Sequence, residues 1–288
     1  MSATPSVRGA PRRRRRRASV AARLARGIAS LVPRPRTRRR IRCALRSTPL
    51  AILVIAAAIV ALALWYAANA VVQVVRKPTE LFFPVAGVLS KTPAETWRTY
   101  APLFRVHATA VMTPELLAAL AQTEGAGNPV ARTYWRWRLT AEPFEVYRPA
   151  SSAVGMYQIT DGTFEQAKRY CIRDGAVVED GPWHDWRSCW FNALYTRVLP
   201  SHAIEMTAAL LDRNVAAILA RHRLAATREQ KQDLAALVHL CGAGAGDLHA
   251  RRGLKLAPGQ RCGDHDVAAY LAKVNALKRV FARLAAEG

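Results

Sequence analysis

The 288-residue sequence predicts a mainly α-helical protein, with one apolar helix preceding a helical domain. Three observations carry this. Leu50 to Ala68 is a run of 19 residues without a charge, continued as Asn69-Ala70-Val71-Val72-Gln73-Val74-Val75, and it is long enough to cross a bilayer as one helix. Further on, apolar residues recur at helical spacing behind recognisable start signals. Few segments alternate with the period of two that a half-buried strand shows.

Charge orders the amino-terminal part. Sixteen of the 23 net positive charges fall in residues 1–48, which hold Arg but no Lys, Asp or Glu. So charged and apolar-poor a segment is expected to be a disordered tail. Arg34, Arg36, Arg38, Arg39, Arg40, Arg42 and Arg46 precede the apolar run, whereas only Arg76 and Lys77 separate it from Glu80. That asymmetry predicts a cytoplasmic tail, a membrane helix over 49–75, and an exported remainder. Trp65 and Tyr66 stand near the far interface, where aromatic rings are favoured. A cleaved signal peptide is the rival reading, with Ala67-Ala68-Asn69-Ala70 as its cleavage site. The Arg tail also invites a nucleic-acid reading, but fixing topology is the simpler explanation, and nucleic acid is not expected as a partner.

Cysteine placement agrees with export. Cys43 lies before the apolar run; Cys171, Cys189, Cys241 and Cys262 follow it, where disulfides can form. Four thiols permit three connectivities. Pairing chain neighbours, Cys171 with Cys189 and Cys241 with Cys262, closes the shortest loops and is the pairing expected. No C-x-x-C or H-E-x-x-H spacing appears, so no metal is expected.

Residues 76–95, with Pro78, Pro84 and Pro93, read as a spacer or a strap against a domain covering 96–288. A helix from Thr96 to about His107 is expected to kink or break at Pro102. Thr113 and Pro114 mark the next helix start. Leu116, Leu117, Leu120 and Glu124 share one face of it. An acid on an inward-turned stripe is unusual, which makes Glu124 a candidate general acid. The helix stops at Gly125-Ala126-Gly127-Asn128-Pro129. Trp135 and Trp137 follow in a long connection, as aromatic planes suited either to a sugar ring or to a small core. Next comes Gly155-Met156-Tyr157-Gln158-Ile159. Gln158 can donate and accept without ionising. Thr163 and Gln166 have capping-box spacing.

Trp183, Trp186 and Trp190 around Cys189 predict a disulfide-pinned pair of helices. Ser201 to His222 predicts a long helix with Ile204, Ala208, Leu211, Val215, Ile218 and Leu219 on one side. Thr227 and Gln230 open another helix, which runs to Cys241 and into Gly242-Ala243-Gly244-Ala245-Gly246. His239 lies in its last turn. The final helical pattern contains Tyr270 and Val274.

Glu124, Asn128-Pro129, the Gly155–Ile159 segment and the Tyr270 helix together resemble the soluble-type lytic transglycosylases, enzymes with a goose-type, lysozyme-like domain that cleave peptidoglycan. The resemblance covers roughly residues 96 to 280. It departs at Gly125, where the family has Ser. It departs again at Cys241, Gly242 and Ala245, where the family has Tyr, Asn and Pro.

The resemblance implies a lysozyme-like helical fold and Glu124 as the single catalytic acid. It also implies that Met156, Tyr157, Gln158 and the turn at Gly244 line a glycan groove, and that Tyr270 hydrogen-bonds near Glu124. Peptidoglycan glycan strands would be the substrate, the inner membrane the site of anchoring, and an envelope-spanning secretion or division complex a candidate partner. No cofactor is implied. Asp161 is the candidate second carboxylate for a hydrolytic muramidase. A degenerate wall-binding scaffold is a third expectation.

Overall fold

The charge-free run folds as one helix, α1 (Leu50–Arg76), of 27 residues with mean hydropathy 2.6 over its most apolar 18-residue window. At 1.5 Å rise per residue it spans about 40 Å, and most of its large apolar side chains, from Leu50 to Val75, are exposed. By length and composition it can cross a membrane. The protein is seen in a computed structural model that describes residues 35–37, 49–82, 87–185 and 187–287. Most of the Arg tail, Cys43 and Trp186 lie outside the described residues.

The last turn of α1 and the residues after it are held firmly. Gln73 donates to the Phe144 carbonyl at 2.6 Å, and Lys77 to the carbonyls of Ser151 and Ala153 at 3.2 and 3.0 Å. A short 3-10 turn, Pro78–Phe82, follows. Of the spacer and strap readings, this stretch is a strap.

Helix α2 (Pro93–Val106) begins three residues before the expected Thr96, inside the segment read as a spacer. Thr92 caps it, and Glu95 returns the hydrogen bond to the Thr92 N–H, a complete capping box. The helix runs unbroken through Pro102, so of the expected kink or break the break does not occur. The proline removes one backbone donor, but Trp97, Tyr100, Ala101 and Phe104 on the buried face hold the helix against the core.

Helix α3 (Pro114–Gly125) starts as expected, with the Thr113 side chain accepting from the Leu116 N–H. Every residue from Leu116 to Ala121 is buried. It is the central element, with α2 and the last helix, α8 (Val267–Glu287), packed on it. Phe281 of α8 is fully buried, its ring 5.8 Å from that of Trp97.

Between them lie α4 (Asp161–Ala167), α5 (Pro200–His222), α6 (Arg228–Cys241) and α7 (Ala243–Arg251). All six apolar residues expected on one side of α5 are buried. Thr227 and Gln230 form the expected capping box of α6. In α4 the cap is Thr160, not Thr163, because the Thr160 side chain takes the Thr163 N–H three residues on. The glycine-rich stretch is not a loop. Gly242, at φ 81°, ends α6 and opens α7 directly. A Cβ on Gly246 would lie 2.5 Å from Val238 Cγ2 and 2.9 Å from Ile218 Cδ1, so this glycine lets α7 close onto α5 and α6.

Three two-stranded antiparallel ribbons complete the chain: β1–β2 (Trp135–Trp137, Tyr147–Pro149), β3–β4 (Tyr170–Arg173, Ala176–Glu179) and β5–β6 (Arg261–Cys262, His265–Asp266). The pair of helices expected around Cys189 is instead the β3–β4 hairpin followed by a 3-10 turn, Trp190–Leu194. Asp174 and Gly175 adopt φ 50° and 72°, which suits the tight two-residue turn that matches strand twist.

Both expected disulfides are formed. Cys171–Cys189 has a Cα–Cα distance of 5.6 Å and Cys241–Cys262 one of 5.5 Å. The first pins the hairpin. The second ties the end of α6 to the ribbon that leads into α8.

Candidate active site

The site begins where α3 ends. Ala126 and Gly127 take left-handed conformations, φ 48° and 63°, and turn the chain sharply after Gly125. The turn is clamped from α2: Gln122 donates to the Lys91 carbonyl at 3.0 Å and accepts from the Thr96 hydroxyl at 2.7 Å. Asn128 is buried and accepts the Val130 N–H at 3.0 Å. These contacts fix the last turn of α3, and with it the backbone of Glu124.

Gly125 brings the two sequence motifs together. A Cβ there would meet Met156 Cα at 2.8 Å and Met156 O at 3.0 Å. The Gly155–Gln158 turn therefore lies directly on the end of α3. Gly155, at φ 81°, has room for no side chain either, because a Cβ would sit 2.4 Å from the Arg197 carbonyl. The departure from Ser at position 125 thus has a steric reason.

Glu124 is half enclosed, its side chain 19% exposed. The Tyr270 hydroxyl of α8 donates to Glu124 Oε1 at 2.5 Å, and His239 Nε2 of α6 stands 3.8 Å from the same oxygen. Burial, then the Glu124 carboxylate, pushes the Tyr270 hydroxyl well above the usual phenol range, so it stays a neutral donor. Lys273 reaches the Thr123 carbonyl beside it at 3.4 Å. Three helices thus converge on one carboxylate.

The other expected residues fall into distinct groups. Met156 and Tyr157 have no exposed surface. Tyr157 donates to the Leu117 carbonyl at 3.1 Å and packs edge-on against His239. Their side chains are core supports for the turn, in place of the groove lining expected of them.

Gln158 is partly exposed and sits at φ 47°, a costly conformation for a residue with a side chain. Its amide nitrogen holds it there, donating to the carbonyls of Gly155 at 2.9 Å and Ala131 at 3.2 Å. The amide donors are thus committed to the backbone, and the carbonyl oxygen is the group left for a ligand. Gly244 lies in the first turn of α7, where an added Cβ would meet nothing within 4 Å.

Trp135 and Trp137 pack on Tyr147 across the β1–β2 ribbon, with ring centroids 5.1 and 4.6 Å away. The Trp135 N–H donates to Glu80 at 2.9 Å, whereas the Trp137 ring remains 66% exposed. Trp135 is thus tied into the ribbon and to Glu80, and Trp137, stacked on Tyr147, is largely exposed. Asp161 is paired with Arg197 at 2.8 Å, which engages its carboxylate in an ion pair.

His239 belongs to the site, although the sequence pattern favours a core or capping histidine. It also borders a cavity of about 260 Å³, lined among others by Gln166, Asn214, Thr207 and Leu210. Besides His239 its polar side chains are hydroxyls and amides, and the buried Thr207 hydroxyl has no hydrogen-bond partner. No group of His, Cys, Asp and Glu suited to a metal occurs among the described residues.

Compared with protein-family models, curated proteins and solved structures, the chain matches none. Function must therefore be argued from the carboxylate and its surroundings.

Proposed function

We propose that the protein is a membrane-anchored peptidoglycan lytic transglycosylase with a lysozyme-like helical domain. The observation that carries this reading is the half-buried carboxylate of Glu124, held by Tyr270 at the end of the helix that the Gly155–Gln158 turn lies on. Among the described residues no second carboxylate is paired with Glu124. That suits a mechanism in which the substrate supplies its own nucleophiles.

In this reading protonated Glu124 gives its proton to the oxygen bridging N-acetylmuramic acid and N-acetylglucosamine. The substrate's acetamido group stabilises the developing oxocarbenium, in contrast to the two-carboxylate plan of ordinary glycosidases. Glu124, now a base, takes the proton of the muramyl C6 hydroxyl, and that oxygen closes a 1,6-anhydro ring. An intramolecular hydroxyl outcompetes water because it is already close to the anomeric carbon.

Tyr270 fixes one carboxylate oxygen and leaves the other for the proton. The Gln158 carbonyl oxygen can accept from a sugar hydroxyl or amide N–H. The neutral cavity behind His239 suits a polyhydroxyl, acetamido-bearing ligand. The apolar length of α1, with the Arg excess before it, supports a single-pass anchor in a bacterial inner membrane and a periplasmic domain. A hydrolytic muramidase is less well supported, since Asp161 is held by Arg197.

The test is digestion of purified peptidoglycan by the detergent-solubilised full chain, with products weighed by mass spectrometry. Anhydro-ended fragments, one water lighter than hydrolysed ones, are expected, and Glu124→Gln should abolish them without unfolding the protein. Fragments carrying the added water would identify a hydrolase. No fragments from the unaltered chain would favour a scaffold.

A further inference from the structure

A second pocket, apart from Glu124, opens beside the last turn of α1. It has a volume of about 350 Å³, and its lining includes Arg76, Lys77, Thr79, Arg148, Ser152 and Arg197. Four of its residues are cationic, with Glu145 and Asp161 the only acids. Each acid is already neutralised: Glu145 pairs with Arg76 and with Arg148, the latter at 2.7 Å, and Asp161 with Arg197 at 2.8 Å. Lys77 in turn pairs with Glu80 at 3.3 Å, an acid that Arg132 shares at 2.8 Å, so a surplus of positive charge remains.

Two polar atoms in this lining are shielded from solvent and have no hydrogen-bond partner, Thr79 Oγ1 and Arg148 Nε. Buried donors are rarely left so, and each unmet one is costly. Arg148 lines the pocket with a side chain one-third exposed. Lys77, mostly buried beside them, has its ammonium group pulled below the usual lysine range by desolvation, which a bound anion would relieve. Unmet donors, surplus positive charge and a concave shape specify an oxyanion.

The place of this pocket in the chain indicates the source of the anion. Arg76 closes α1 and Lys77 follows it, so a helix that crosses a bilayer delivers both to the headgroup layer. Basic pockets at the ends of membrane helices recognise lipid phosphates.

We propose that this pocket binds a phosphate oxyanion, supplied by an anionic phospholipid headgroup on the exported side. The inference rests on α1 spanning the membrane and is independent of the glycan chemistry.

The test uses the full chain with Thr79→Val and Arg148→Gln variants. Thr79→Val removes only an unpaired hydroxyl, so it should fold normally. In detergent, inorganic phosphate should raise the thermal midpoint beyond matched chloride. The half-maximal phosphate concentration should rise about tenfold in either variant, as expected for loss of one hydrogen bond to a charged group.

In nanodiscs, phosphatidylglycerol should stabilise the unaltered chain more than phosphatidylcholine, and the variants should lose that difference. Response to phosphate without a lipid difference would keep the anion site and assign it a soluble anion. Phosphate acting no better than chloride, or variants responding like the unaltered chain, would overturn the proposal. Peptidoglycan digestion by both variants should be unchanged, which separates this result from the function of Glu124.

Discussion

The Tyr270 hydroxyl meets Glu124 Oε1 at 2.5 Å across 146 residues of chain. This bond joins the last helix to the end of the central one. Tyr270→Phe keeps the ring and removes the donor. We expect glycan cleavage to fall about 100-fold, as on removal of one preorganised donor, with little change in the far-ultraviolet circular dichroism. Activity within twofold of the unaltered protein would remove Tyr270 from the mechanism.

Gly125→Ser restores the residue that the resembled family carries, yet here it should be harmful. Its Cβ would press on the Met156 backbone at 2.8 Å, and backbone does not yield as a side-chain tip does. Overpacking of this kind costs about 1–3 kcal/mol. Urea denaturation should show that loss, and glycan cleavage should fall as the Gly155–Gln158 turn moves away from Glu124.

Two glycines two positions apart should respond in opposite directions. Gly246→Ala would crowd Val238 and Ile218, whereas Gly244→Ala meets nothing within 4 Å. Alanine is the better helix former, so the Gly244 change should stabilise by about 0.5 kcal/mol and the Gly246 change should destabilise. Loss of glycan binding in Gly244→Ala, with stability intact, would return that residue to the site.

Each disulfide should contribute about 3 kcal/mol, but the two should differ in effect. Replacing Cys171 and Cys189 with Ala frees the β3–β4 hairpin. Replacing Cys241 and Cys262 releases the ribbon leading into the helix of Tyr270. Both pairs should lower the thermal midpoint, and the second should lower activity disproportionately.

Acid should destabilise the domain through three histidines. Burial holds His107, His202 and His249 below the ordinary histidine value, with Glu205 partly opposing it at the first two. Their folded pKa values lie below the unfolded ones, so the unfolded chain binds more protons between them, and stability rises with pH there. The benefit is full above the unfolded value and fades as pH falls toward the folded ones. The thermal midpoint should drop between about pH 7 and pH 5, and a His107→Gln variant should show a shallower drop.

Much of the helical frame can be read from local pattern. The caps at Thr113 and Thr227 and the apolar side of α5 appear in the sequence because neighbours in the chain are neighbours on the helix. Glu124 stands out as an acid on an apolar stripe for the same reason. The hairpin at Asp174-Gly175 is also local, and that dipeptide is its signal; the cluster of Trp around Cys189 points away from it.

Other features depend on partners far along the chain. Pro102 survives in α2 because tertiary packing outweighs one lost bond. Tyr157 and Met156 are core because α3 covers them, which spacing does not reveal. His239 joins the site because the end of α6 reaches Glu124. Glu80 is nearly solvent-free because Lys77, Arg132 and Trp135 all reach it, and the last two lie 52 and 55 positions along the chain.

That buried knot at Glu80 has a mechanical consequence. The chain is made fast to the β1–β2 ribbon and the segment after it within a few residues of Arg76. If α1 crosses a membrane and Glu124 cuts glycan as proposed, so short a stem would give the cutting site a small working radius. Its polymer would have to be presented close to the lipid surface, and lengthening the stem by inserting a flexible stretch after Lys77 would move cutting to more distant layers while loosening the domain it holds.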